Sequence, residues 1–277
     1  MNFKEFLNED SKDGEHHKEL SEGKFLEIFR TKCKNSHAVA KFTPFFRQDK
    51  GPDLQLVTPE YKEERSAFWI DKLIKEIPGW SKMPSRSRFI KAYTDYERTF
   101  GGDDVYLLLP LDGTRIGVSP TGSFYRSFED FKKSLGIEKV DNQNFEKWLS
   151  VIQNGFAQLC DAKIKPHEPK TFAQFKKALK QIDDVLAEYR NVIIKNLNLG
   201  ESVSPEDAKI IKDLLARHVS TTERYLGEKL DPEGNGFHSV RIESFSRAPG
   251  DHEVWIDRPA LLIKRTKYIE LHKRGEL

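Results

Sequence analysis

Cysteine is scarce in this chain: among 277 residues there are two, Cys33 and Cys160. Two widely spaced thiols exclude a disulfide scaffold and a thiolate zinc site. Long apolar runs are missing too. No stretch approaches the roughly 20 residues a membrane-spanning helix needs, so no membrane partner is expected. Charge of one sign is not in excess either, since 46 Lys and Arg stand against 44 Asp and Glu, a net charge of +2. A dedicated nucleic-acid binder normally shows a basic excess, so no strong nucleic-acid signal is present. The one basic patch is Lys264, Arg265, Lys267, Lys273 and Arg274 near the C-terminus. Several motifs are absent as well. Gly101-Gly102 lacks the Lys and Ser/Thr of a phosphate loop, and no serine sits in a Gly-x-Ser-x-Gly elbow. His16-His17 lies in a polar stretch without the spacing of metal ligands, so no metal is expected. Cys160 follows Leu159 on an apolar helix face and reads as a buried small residue. Residues 1–22 carry no apolar core of the signal-peptide kind. The expectation is a soluble, intracellular-type protein.

What is present suits one large domain or two small ones, with 37% hydrophobic residues for a core and 32% charged for a well-solvated surface. Residues 1–23 read as a leader and polar linker: Phe3, Phe6 and Leu7 share a helical face, and 9–22 is too polar to fold alone. Ser21 caps a short helix through Phe25, Leu26 and Phe29. Strand-like pieces follow at 38–42 and 45–47, then a loop from 48 to 59. The spacing of Phe68, Trp69, Leu73, Ile74 and Ile77 predicts an amphipathic helix over 63–77, ended by Pro78-Gly79. Residues 105–110 and 115–118 read as strands, and Asp112-Gly113 between them is a strong hairpin cue. From 128 to 230 the chain turns helical. Thr171 starts a long helix running through Ile193, Ser204-Pro205-Glu206-Asp207 starts another, and the two are expected to form a helical hairpin over about 171–226. Strand periodicity returns at 240–245, 253–256 and 261–263. The order implies an α+β fold in which the last strands rejoin the early sheet around the helical insert.

A dispersed polar set sits in the strand-rich parts. Arg47 ends Phe45-Phe46-Arg47, and such an arginine can hold a phosphate bidentately. Ser85-Arg86-Ser87 precedes Phe89-Ile90, and closely spaced hydroxyls can orient a ribose. Asp251-His252-Glu253 opens the strand 253–256, where a carboxylate can stabilise a developing cation. Each also fits an ordinary role: a surface ion pair for Arg47, a turn for Ser85 and Ser87, an exposed acid pair for Asp251 and Glu253. Tyr93 or Phe124-Tyr125 offers a ring for stacking.

In this order the three elements resemble the ADP-ribosyltransferase family, which places an Arg on its first strand, a Ser-Thr-Ser-like motif on a second and a Glu/Gln-x-Glu motif before a later strand. The resemblance covers about 41–128 and 236–271, and the helical insert has no counterpart in it. It implies a split β-sheet core with a helical insertion in a single domain over 24–277, and NAD as substrate. Arg47, Ser85, Ser87 and Tyr93 would bind NAD, Glu253 would stabilise the oxocarbenium-like transition state, and Asp251 would position the acceptor. Arg86 replaces the middle Thr, and Asp251 replaces the first Glu or Gln. Arg47 is preferred over Arg30 and Arg88 for its strand context.

The first nine residues, Met1-Asn2-Phe3-Lys4-Glu5-Phe6-Leu7-Asn8-Glu9, resemble the leader that directs internal proteins of large contractile-tailed bacteriophages into the prohead core and is cut after a Glu. Glu9 is the matching position, followed by Asp10. Together the resemblances imply a phage mono-ADP-ribosyltransferase-like protein that modifies a host macromolecule, located in the virion head, the host cytoplasm or both. The alternative is a non-catalytic internal head or virion-associated protein in which the same fold has lost its chemistry.

Overall fold

The structure is a computed structural model describing residues 15–59, 69–86, 88–99, 104–135, 137, 139–161, 164, 169–200, 203–218, 220–246 and 250–277. The 1–9 leader, Ser87, Gly101-Gly102 and the first part of the expected 63–77 helix lie outside the described residues. The fold is α+β. Nine strands are described: β1 (Glu15–Glu19), β2 (Phe45–Gln48), β3 (Leu54–Pro59), β4 (Ile90–Tyr93), β5 (Val105–Pro110), β6 (Arg115–Val118), β7 (His238–Arg241), β8 (Glu253–Ile256) and β9 (Ala260–Lys264). The described helices begin with α1 (Glu22–Lys32), α2 (Lys34–Ala40), α3 (Trp69–Leu73), α4 (Glu129–Leu135) and α5 (Asn142–Cys160). They continue with α6 (Phe172–Leu199), α7 (Pro205–Arg217), α8 (Thr222–Lys229) and α9 (Arg265–Lys273). The chain divides into two compact units, one of residues 1–66, 79–124 and 236–277, the other of 67–78 and 125–235.

The first unit holds all nine strands in the order β1-β3-β9-β5-β2-β4-β8-β6-β7, with every neighbouring pair antiparallel. A five-strand half, β1 to β2 in that order, meets a four-strand half at the single register pair Phe46↔Tyr93. Side chains alternate along each strand, so each half has two faces. Phe45, Tyr106, Leu108 and Leu262 share one buried cluster with Ala92, Val254 and Ile256 of the other half. Leu56, Leu107, Leu109, Leu261 and Ile263 face the opposite way and bury Phe25, Leu26 and Phe29 of α1. As expected, the late strands β8 and β9 rejoin the early sheet, beside β4, β5 and β3.

The second unit is helical around α5. Thr171 opens α6 with a capping box shared with Gln174, and Gly200 ends it in the left-handed conformation at φ 74°. Ser204 caps α7 through the Asp207 amide (3.1 Å), with Pro205 in the first turn. Asp183 of α6 accepts from the Thr222 amide (2.7 Å) at the start of α8 and lies 2.9 Å from His218 Nε2.

Several expectations need correction. Residues 15–19, assigned to a polar linker, form edge strand β1, because pairing with β3 supplies the order that their composition lacks. Residues 38–40, read as strand, end helix α2. Its first amides, at Asn35 and Ser36, are capped by the Asp112 carboxylate (3.0 Å each), a partner some 77 residues away and invisible to local periodicity. Asp112-Gly113 does turn the chain, with Gly113 at φ 79°, but β5 and β6 do not pair. Asp112 is instead committed to α2, and the Gly113 amide to Glu243. Strand β7 stops at Arg241, and 242–244 form a 3-10 turn. Finally, α6 and α7 meet through Arg190 and the Leu215 carbonyl (2.6 Å), but both also pack on α5, a third partner that the expected hairpin left out. Gly155 permits this: a Cβ there would lie 2.3 Å from Ile211 Cδ1 of α7.

Candidate functional site

Glu253 opens β8, and its amide donates to the Thr121 carbonyl (2.9 Å). The residue is only 5% exposed. One carboxylate oxygen accepts from Arg86 Nη1 (3.2 Å) and the other from the Phe124 amide (3.2 Å). Arg86 is itself buried. Its guanidinium carbon lies 3.8 Å from the centre of the Phe124 ring and 4.0 Å from that of Phe89, with Trp255 at 5.3 Å. The segment carrying it is pinned on both sides. Trp255 Nε1 donates to the Pro84 carbonyl (3.0 Å), and the Ser85 amide donates to Asp257 Oδ2 (3.0 Å). The Ser-Arg-Ser tripeptide therefore does meet Glu253, through Arg86. A buried, aromatic-stacked ion pair with both oxygens engaged is a structural device first of all.

Asp251 is paired with Arg98, and Gly122 packs so close that a Cβ would overlap the Asp251 carboxylate. His252, between the two acids, has its amide on Thr94 Oγ1 (3.0 Å) and its ring Nδ1 2.8 Å from the Ser119 carbonyl. Sequence reasoning passed over His252 and treated Arg86 only as a departure from the motif. The signal available was the placement of Arg86 between two serines before an aromatic residue. Tyr93 stands opposite Glu253 in the β4–β8 register and opposite Phe46 across the junction of the halves. Its ring carries Lys91 Nζ at 5.5 Å.

Arg47 does not join this group. It lies in register with Tyr106, on the face that Phe45 shares with Val254, and its Nε donates to Asp49 Oδ2 (3.1 Å). Glu253 alternates with Val254 and so points to the other face. Strand β4 also separates β2 from β8, placing their backbones about 10 Å apart. The expected convergence of Arg47, Ser85 and Glu253 is not found. Beside Arg47, burial raises the Tyr106 phenol above its ordinary value, and its hydroxyl donates to the Gly51 carbonyl (2.5 Å).

A cleft of about 800 Å³ lies next to Ser85, between Pro84, Arg115 and Arg258. Two carboxylates line it, Asp112 on the α2 amides and Asp257 on the Ser85 amide. Neither Arg47, Tyr93, Asp251 nor Glu253 is among the described residues lining that cleft. With Arg47, the arginine expected to hold the pyrophosphate, on one face and Glu253 closed in on the other, the described residues do not fit NAD in the expected way. Among the described residues no group of His, Cys, Asp and Glu is arranged to hold a metal ion, and no helix is long and apolar enough to cross a membrane.

No family model matches the chain, and no curated protein and no solved structure matches it either.

Proposed function

We propose that this chain is a non-catalytic internal head or virion-associated protein of a contractile-tailed phage, built on an ADP-ribosyltransferase-like framework that does not turn over NAD. The observation that carries the non-catalytic half is the Glu253 carboxylate, held by Arg86 and the Phe124 amide beneath aromatic rings. A group meant to stabilise a cation in a substrate must face that substrate, and here its charge is already matched inside the protein. The virion half rests on the resemblance of residues 1–9 to packaging leaders.

A second reading, an NAD-cleaving transferase acting on a host macromolecule, keeps one observation in its favour. The strands carrying Arg47, Tyr93 and Glu253, far apart in the chain, are consecutive neighbours in the sheet, β2-β4-β8. One experiment separates the two. Purified chain is incubated with adenine-labelled NAD, alone and with bacterial lysate, and nicotinamide release and label transfer are followed. The non-catalytic reading expects neither above the blank. Turnover that Asp251→Asn or Arg47→Ala abolishes would establish the transferase instead. Mass analysis of purified virions tests the location: the expected species begins at Asp10, and absence from virions removes the head-protein assignment.

A further inference from the structure

A second concavity of about 500 Å³ opens in the sheet-bearing unit, between α2, β2, β5 and α9. Its floor is apolar: Phe46 from β2 and Leu107 and Leu109 from β5, with Tyr268 and Ile269 of α9 as one wall. Its rim is cationic, made by Lys41, Arg265 and Lys273 beside the His272 imidazole, and no Asp or Glu is among the described residues lining it.

The lack of acids follows from how α9 sorts its charges. Lys267 and Arg274 are drawn to the other side of the helix, where both pair with Glu22 and Glu270. Arg274 also takes Glu276 (2.8 Å). The helix's own carboxylate is thus spent away from the cavity. Lys41 and Lys273 make no ion pair among the described residues, and Arg265 lies against the Tyr96 ring at 4.8 Å. The imbalance is felt by a buried neighbour. His37, whose Nε2 is 3.2 Å from Tyr268 Oη, is held below the ordinary imidazole range by burial and then by Lys41 and His272.

From this we infer that the cavity is a binding site for a small amphipathic anion, a molecule with an apolar body and one acidic headgroup such as a medium-chain carboxylate. The volume lies in the range of small-molecule sites, roughly 300–1,000 Å³. Burying an apolar body against the Phe46–Leu109 floor supplies affinity, and the rim gives the headgroup its only complementary charge. The 800 Å³ cleft beside Ser85 differs in carrying two carboxylates against its cations, so it lacks that selectivity.

The test uses the full chain and the fluorescent sulfonate 1-anilinonaphthalene-8-sulfonate as reporter. Saturable enhancement is expected, displaced by dodecanoate but not by inorganic phosphate or by dodecyltrimethylammonium. Lys41→Glu with Lys273→Glu should weaken dodecanoate by roughly tenfold, since both side chains are exposed and their reversal removes the rim's attraction. Ile269→Trp, at a 41% exposed position, should block the cavity sterically without disturbing the core. Equal displacement by the cationic amphiphile, or dodecanoate binding unchanged in both variants, would overturn the site. So would sedimentation with phosphatidylglycerol vesicles while dodecanoate is inert, because that would make the patch a membrane surface.

Discussion

Glu253 and Arg86 show how a residue's neighbours decide its role. Their side chains are 6% and 4% exposed, so neither charge is screened by water. Breaking a buried pair by removing one partner leaves the other charge uncompensated, at a cost of roughly 3–5 kcal/mol. Glu253→Gln is therefore expected to lower the urea midpoint strongly, although glutamine keeps the size. Arg86→Met with Glu253→Leu should recover most of the loss, because a well-packed apolar pair can replace a buried ion pair. A Glu253→Gln protein as stable as the parent would mean the carboxylate faces solvent. Asp213 on α7 makes a related case. Burial alone would raise its carboxyl, but hydrogen bonds from Lys229 (2.8 Å) and Tyr225 (2.7 Å) outweigh it and hold the group below its ordinary value. A carboxyl depressed by folding contributes stability above its unfolded pKa of about 3.9, and that contribution is lost as pH falls through the folded value. Asp213→Asn should flatten the loss of stability below about pH 4, read from unfolding midpoints of the helical unit.

At the scale of elements, tight packing explains why some residues cannot change. Gly117 of β6 pairs in register with Trp255 of β8, and a Cβ on Gly117 would lie 2.3 Å from the indole. The indole cannot yield, because it is tied to Pro84 and meets the Phe124 ring edge-on at 5.7 Å. Gly117→Ala is expected to cost about 1–3 kcal/mol by overpacking and to blue-shift or broaden the Trp255 emission. An unchanged midpoint and spectrum would show that the two strands do not approach so closely. The elements also show what the sequence made legible. Thr171 and Ser204 announce α6 and α7 through local caps, and the apolar runs at 105–110, 253–256 and 261–263 announce their strands. What stayed hidden depends on remote partners. Asp112 capping α2, β3 ordering the polar β1, and α5 packing on both α6 and α7 leave no local periodicity. The candidate site divides the same way: Arg47, Ser85 and Glu253 were expected around one cavity, and although strands β2, β4 and β8 are neighbours in the sheet, a single step of strand register put Arg47 on the opposite face. Which face a side chain takes is a matter of register, and register is set by pairing across the whole sheet.

At the scale of the molecule, the chain passes between its two units four times, yet each keeps its own aromatic core. The helical unit stacks Trp69 on Phe175 with ring centres 4.6 Å apart and Trp148 on Tyr225 at 6.0 Å. The sheet-bearing unit groups Trp80, Phe124, Phe237 and Trp255. Four tryptophans, two to a unit, make separate reporters once the other pair is replaced by phenylalanine. Phe145 is fully buried on α5 and meets Phe131 and Phe175, with ring centres 5.2 and 5.5 Å away. Phe145→Ala removes that filling and should destabilise its unit by about 3–5 kcal/mol. If the two cores are separate cooperative blocks, the Trp69/Trp148 signal moves to lower urea while the Trp80/Trp255 signal keeps its midpoint. Coincident movement of both signals would show that the four chain crossings couple the units into one transition. The independent outcome has a consequence for function. Substitutions in the helical unit would then leave ligand binding at the α9 cavity unchanged, because every residue lining that cavity belongs to the sheet-bearing unit.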